Sequence, residues 1–190
     1  MRFDRELYMV LCSVRELAER AAQGGSLGGA YDSPSAEEGR VLHKLLKDSQ
    51  GEGFVAEYPI SADFKSGSIT YRISGRADCV LEADVPIVCE FKTVTHSAFE
   101  RASSRLGRAQ VTVYAALYAI SKGAKRVIAR LVIATPDGEK IKNSDRTYTA
   151  DELVIALHAL ISKIAPLAHN EVEALQNIHP LQKQMVWLQK

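Results

Sequence analysis

The 190-residue sequence predicts an α/β fold, a sheet of about five strands flanked by helices. Two observations predict it. Five stretches rich in β-branched and apolar residues, bounded by turn signals, read as strands: Phe54–Pro59, Ile69–Ile73 running into Tyr71–Leu81, Ile87–Val94, Arg126–Thr135 and Lys140–Thr149. Around them lie stretches whose apolar residues recur three and four apart, the period of a helix with one buried face.

The first such stretch, Asp4–Ala22, carries Leu7, Val10, Leu11, Val14 and Leu17 and predicts an amphipathic helix ended by Gly24-Gly25. Gly28-Gly29 and Ser33-Pro34 continue the break. This glycine-rich loop has no Gly-Lys-Ser/Thr, so a phosphate loop is not expected there. Ser35 is placed to cap a second helix reaching about Lys47, with Glu37 and Glu38 favourable in its first turn. Val41, Leu42, Leu45 and Leu46 form its apolar stripe, and His43 falls at the stripe's edge, where an imidazole is either structural or faces a cleft.

A polar turn at Lys65-Ser66-Gly67 separates the first two strands, and an Asp-Val-Pro turn leads to the third. Gly75 interrupts the apolar face of Tyr71, Ile73, Ala77 and Cys79, which marks a bend, a bulge or a close backbone approach. After Lys92 a polar stretch, Thr93–Ser104, precedes a helix to about Ser121. Leu106, Val113, Leu117 and Ile120 share one arc, with Tyr114 and Tyr118 beside it. Gln110 falls inside that arc, and a buried amide needs partners. On an unbroken helix Arg101, Arg105 and Arg108 lie opposite Gln110, so they reach the same place only if Gly107 marks a break. Pro136-Asp137-Gly138 is a turn between the last two strands, and from Asp151 a long helix ends near Pro166 or continues kinked to about Gln176.

The composition is that of a globular chain, 46% hydrophobic and 25% charged, and its length suits one domain. No apolar run is long enough to span a bilayer and no secretory segment opens the chain, so a cytoplasmic, intracellular protein without membrane partners is expected. Three cysteines without a Cys-x-x-Cys spacing read as reduced, buried thiols. The net charge of +1 hides an asymmetry. Glu100–Arg130 holds seven basic residues and one acidic, whereas Met1–Ile60 holds seven basic and ten acidic. A basic segment suits a polyanion such as DNA, although a solvated helix face explains any one of its arginines as well.

The chemistry concentrates between Gly75 and Lys92. Strand side chains alternate, so Glu90 and Lys92 point to one face with Val88 and Val94, while Ile87, Cys89 and Phe91 point to the other. Asp78 reaches the same side if the two strands pair as a hairpin. Burying such charges is costly unless each meets an opposite charge, a hydrogen bond or a metal. Two carboxylates beside one ammonium suit a divalent cation and a phosphate.

An Asp followed by Glu-x-Lys on the next strand resembles the PD-(D/E)xK nuclease superfamily. Gly39-Arg40-Val41-Leu42-His43 upstream and Gln110-Val111-Thr112-Val113-Tyr114 downstream resemble its RecB-like branch. Ser13-Val14-Arg15-Glu16-Leu17 with Gly75-Arg76-Ala77-Asp78 looks like the nuclease module preceding DinG/XPD-like helicases. The resemblance covers roughly the first two-thirds of the chain. It implies a restriction-endonuclease-like core with a central mixed sheet, a nuclease domain over 1–178 and a tail over 179–190 that looks like the entry to a helicase domain. It implies a Mg²⁺- or Mn²⁺-dependent deoxyribonuclease acting on single-stranded or branched DNA in repair or recombination, with a helicase domain or subunit as partner. Asp78, Glu90, the Phe91 carbonyl and His43 are then the metal ligands, Lys92 the residue meeting water and phosphate, and Gln110 and Tyr114 positioning residues. Arg76, Arg101, Arg105 and Arg108 are candidate DNA contacts, with an exposed rim position for Arg76 and a solvated helix face for the others as the alternative. Three cysteines do not supply the four-cysteine iron–sulfur cluster of some RecB-like relatives. The rival expectations are a non-catalytic module of the same fold that binds nucleic acid or a partner, and a dimeric junction- or restriction-type endonuclease.

Overall fold

The computed structural model describes residues 1–4, 9–22, 52–100, 104–166 and 170. In chain order these form β1 (Arg2–Asp4), β2 (Met9–Ser13), α1 (Val14–Ala22), β3 (Phe54–Ser66), β4 (Ile69–Leu81), β5 (Ile87–Thr93), the short α2 (His96–Phe99), α3 (Arg105–Lys122), β6 (Arg126–Ala134), β7 (Ile141–Thr149) and α4 (150–166). The expected helix over Ser35–Lys47, with His43, and the 179–190 tail lie outside the described residues, as does Arg101.

The strands make one mixed seven-stranded sheet, ordered β1-β2-β4-β5-β6-β7 with β3 also paired to β4. The expectation of about five strands is met at the core and exceeded at one edge. The excess corrects the expected helix over Asp4–Ala22: among its described residues only Val14–Ala22 is helical, and β1 and β2 precede it. Val10 and Cys12 alternate into the core, and β2 lies parallel to the first half of β4, from Met9↔Thr70 to Ser13↔Ser74. Val10 and Val14, four apart, also fit an every-second-residue set once Cys12 is counted between them, and pairing with β4 selects that set. The helix start is fixed locally. Ser13 and Glu16 form a capping box, each side chain taking the other's backbone N–H at 3.1 Å. Thr149 and Glu152 repeat the device at the start of α4.

Helix α3 is the centre of the helical layer, packed on β3, β4, β5, β6 and α1. Ser104 caps it by accepting the Gly107 N–H at 2.8 Å, and Gly123, at φ 67°, ends it in the left-handed conformation that glycine adopts without strain. Helix α4 buries Leu153, Leu157, Ile161 and Ile164, one stripe at helical spacing. The opposite face of β5 and β6 holds a smaller cluster of Cys79, Cys89, Phe91, Val132 and Ala134.

Strand β4 positions everything that follows. One edge pairs with β3 over its whole length, Ser66↔Ile69 to Phe54↔Leu81. The other edge is shared: β2 takes residues 70–74, and β5 takes 79–81. Gly75–Asp78 fall between the two partners, so the sheet opens there. The facing of the strand changes at the same point. Ile69, Tyr71, Ile73 and Ala77 belong to the main core, whereas beyond Asp78 it is Val80 that joins that core while Cys79 joins the smaller cluster. On β3, Glu57 takes φ 50° alongside, an uncommon value for a residue with a side chain.

Candidate active site

The opening in the sheet brings the two acids together. Cys79 pairs with Cys89; one step further the register would set Asp78 opposite Glu90, but the ladder stops. Instead Asp78 Oδ2 accepts the Phe91 N–H at 2.6 Å, a charge-assisted bond that replaces the missing ladder bond. Two like charges facing each other across strands repel, so the row calls for positive charge. Lys92 supplies some of it: its ammonium donates to Glu90 Oε1 at 2.7 Å. Glu90 is 6% exposed and the Lys92 side chain 28%, so the carboxylate is buried and the amine reaches toward solvent. The expected sharing of one strand face by Glu90 and Lys92 is what the structure has.

Helix α3 roofs the notch, and two glycines let it come close. A methyl group on Gly107 would lie 3.0 Å from Lys92 Cγ and 2.9 Å from Leu131 Cδ1. On Gly75 it would lie 2.9 Å from Tyr114 Cε1 and Oη and 3.2 Å from Val14 Cγ2. Close approach, rather than a simple bend, is therefore why position 75 is glycine. Gln110 sits between these two contact points on the same helical face. It is 5% exposed, and its Oε1 is buried with no hydrogen-bond partner among the described residues. Burial, followed by the charges of Glu90 and Asp78, raises the Tyr114 hydroxyl above the usual phenol range, while a hydrogen bond with the Arg76 backbone opposes the shift. Tyr114 is consequently a neutral hydroxyl at the acids' side.

Other expected residues are distributed differently. Arg76 is exposed and lies 3.7 Å from Glu57. Helix α3 is unbroken at Gly107, so Arg105 and Arg108 face away from Gln110. Arg108 donates to the carbonyls of Ala129 (3.2 Å) and Ser144 (2.9 Å) and to Ser144 Oγ (2.5 Å). Val14 packs beside Gly75, while Arg15, next in α1, is exposed and held chiefly by Glu19 at 2.7 Å, with Glu90 adding a weaker attraction.

A second, exposed group lies further along. His96, Asp137 and Glu139 bring one ligand atom each within 4.8 Å of one another, and His96 Nε2 is 2.7 Å from Asp137 Oδ2. The cysteines are buried and unoxidised; burial pushes the Cys12 thiol up to about 11, and neighbouring Cys79 together with burial raises Cys89. No helix among the described residues is long and apolar enough to cross a membrane.

Neither a protein-family model nor a curated protein sequence matches the chain. Solved structures do. A protein named SSO0001 is 22% identical, with 85% of this chain and 77% of that one covered and a TM-score of 0.54. An alkaline exonuclease from Laribacter hongkongensis, LHK-Exo, is 14% identical, with 93% and 95% covered and a TM-score of 0.51. At these identities the likeness is one of fold alone, a central mixed sheet flanked by helices.

Proposed function

We propose that the chain is a metal-dependent nuclease of the RecB-like branch that hydrolyses DNA, acting on single-stranded ends or flaps in repair or recombination alongside a helicase. One observation carries the reading: a buried carboxylate, Glu90, shares a break in the sheet with Asp78 and is met by the Lys92 ammonium at 2.7 Å. A scaffold has no use for that arrangement, because isolated buried charge is destabilising. The named activity of LHK-Exo, a protein of the same fold, supports the reading.

The donors fit a hard divalent ion. Asp78, Glu90 and the Phe91 carbonyl offer oxygens of the kind Mg²⁺ and Mn²⁺ take, His43, which lies outside the described residues, is proposed as an additional nitrogen, and Gln110 Oε1, without a partner among the described residues, is on the face of α3 that carries Tyr114. When bound, the ion supplies charge neutralisation at the phosphate and a more acidic water. The chain's own residues do the remainder. Lys92 presents an ammonium toward solvent from beside Glu90, placed to hold a water and a phosphoryl oxygen. Tyr114, kept neutral, offers a hydroxyl; Gln110 Oε1 accepts a hydrogen bond from whatever enters. Arg76 meets the phosphate backbone at the rim.

The test is cleavage of labelled single-stranded and duplex DNA with Mn²⁺ or Mg²⁺, by the native chain and by Glu90→Gln. Metal-dependent cleavage lost in the variant is expected. DNA binding that depends on salt but not on the divalent ion, with no cleavage, would instead identify a binding module.

A further inference from the structure

On the far side of α3 from Gln110 lies a concavity of about 680 Å³, bounded by α3, α4, β6 and β7. That volume is within the ~300–1,000 Å³ range of small-molecule sites. Leu131, Ile133 and Leu160 give it apolar walls, Arg105 and Lys142 stand at its rim, and no carboxylate lines it. Both cations are exposed and have no carboxylate partner among the described residues. By contrast Arg108, also in the lining, is spent on the Ala129 and Ser144 carbonyls. Thr112 Oγ1 donates to the Arg108 carbonyl at 2.8 Å within α3 and so spends its own proton there. A pocket with apolar walls and two unspent cations at its mouth complements a molecule with a flat apolar part and a compact anionic one.

Position sharpens the chemistry. Leu131 and the Lys92 stem flank the same backbone point, Gly107, so the pocket begins one side chain away from Lys92. We propose that this pocket binds one nucleotide, its base against Leu131, Ile133 and Leu160 and its phosphate between Arg105 and Lys142. Occupation by the substrate strand rests on the nuclease reading; occupation by a free mononucleotide does not.

The experiment uses the full chain carrying Glu90→Gln, in EDTA, so that neither cleavage nor a metal contributes. Calorimetric titration with thymidine 5′-monophosphate, thymidine and inorganic phosphate should show the nucleotide binding at least about tenfold tighter than either part. Adding Arg105→Glu and Lys142→Glu together should weaken nucleotide binding by about tenfold or more. Ala159→Trp, at an exposed helix position facing the pocket, should remove nucleotide binding while leaving both cations in place. Thermal melts confirm that each variant is folded. Competition by a short oligothymidylate assigns the pocket to the strand, and its absence assigns it to the free nucleotide. Unchanged nucleotide affinity in both folded variants, or no nucleotide binding at all, overturns the proposal. Failure of the native chain to cleave DNA while the nucleotide still binds would remove the nuclease reading alone.

Discussion

Glu90 and Lys92 on β5, and His96, Asp137 and Glu139 just beyond, are both groups of acids beside a base, yet they differ in what holds them. Asp137 is committed to the chain's own turn: Oδ1 accepts from Thr135 Oγ1 at 2.7 Å and the Glu139 N–H at 3.1 Å, and Oδ2 meets His96. All three side chains stand in solvent. Glu90 is buried, closes no turn, and is held by a sheet that opens at Asp78. Water stabilises the exposed acids whatever surrounds them, so their proximity has little energetic meaning. The buried acid would be expelled or neutralised unless the fold had been built to keep it. Residue types do not distinguish the two groups; the environment does.

Activity should separate them most. Glu90→Gln and Lys92→Ala are each expected to lower single-turnover cleavage of labelled single-stranded DNA in Mn²⁺ about a thousandfold, whereas His96→Ala and Asp137→Asn stay within about twofold. Equal losses in both pairs would erase the contrast, and a loss confined to His96→Ala would move the chemistry to the exposed group.

Stability gives the next largest separation. Lys92→Ala leaves Glu90 buried beside Asp78 without its ammonium, which should cost about 3 kcal/mol in urea unfolding without metal. Mn²⁺ should restore more of the variant's stability than it adds to the native chain. A loss that Mn²⁺ leaves unchanged would show that the ion does not sit with Glu90. Gly75→Ala tests the roof over the same acids. Its methyl group would be 2.9 Å from the Tyr114 ring and hydroxyl, an overpacking cost of about 1–3 kcal/mol. Pairing it with Tyr114→Phe, which removes the hydroxyl and leaves the ring carbon at the same 2.9 Å, should recover part of that stability but none of the cleavage; full recovery of both would reduce Tyr114 to packing.

The same contrast explains what the sequence could and could not reveal. Alternation along one strand sufficed to place Glu90 with Lys92 and Phe91 with Cys89, because a period of two is a property of β5 alone. Helix α3, its inward Gln110 and the turn at Pro136–Gly138 were legible for the same local reason. Strands β1 and β2 were not, because Leu7, Val10, Leu11, Val14 and Leu17 satisfy a helical period and the edge that overrides it comes from β4, some sixty residues later. Gly75 was visible as an interruption, but its cause, the Tyr114 ring, lies on another element. The separation of Arg108 from Gln110 followed from the helical wheel, whereas its partners on β6 and β7 did not. Long-range pairing decides these cases, and a window of neighbouring residues does not contain it.

Acid titration should show the smallest effect, confined to the exposed group. Asp137 has its carboxyl lowered to about 2 by the Thr135 hydroxyl, the Glu139 N–H and His96. In the unfolded chain an aspartate titrates near ~3.9. A depressed folded value means that its contribution is complete above about pH 4 and disappears as the pH falls toward 2. The urea midpoint of the native chain should exceed that of Asp137→Asn by a small, constant amount above this window, and the two should converge inside it. A gap that persists undiminished to the bottom of the window would mean that the side chain acts by shape rather than by charge. Cleavage measured at neutral pH should not register the substitution, since what Asp137 holds is the β6–β7 turn and not the opening at Asp78.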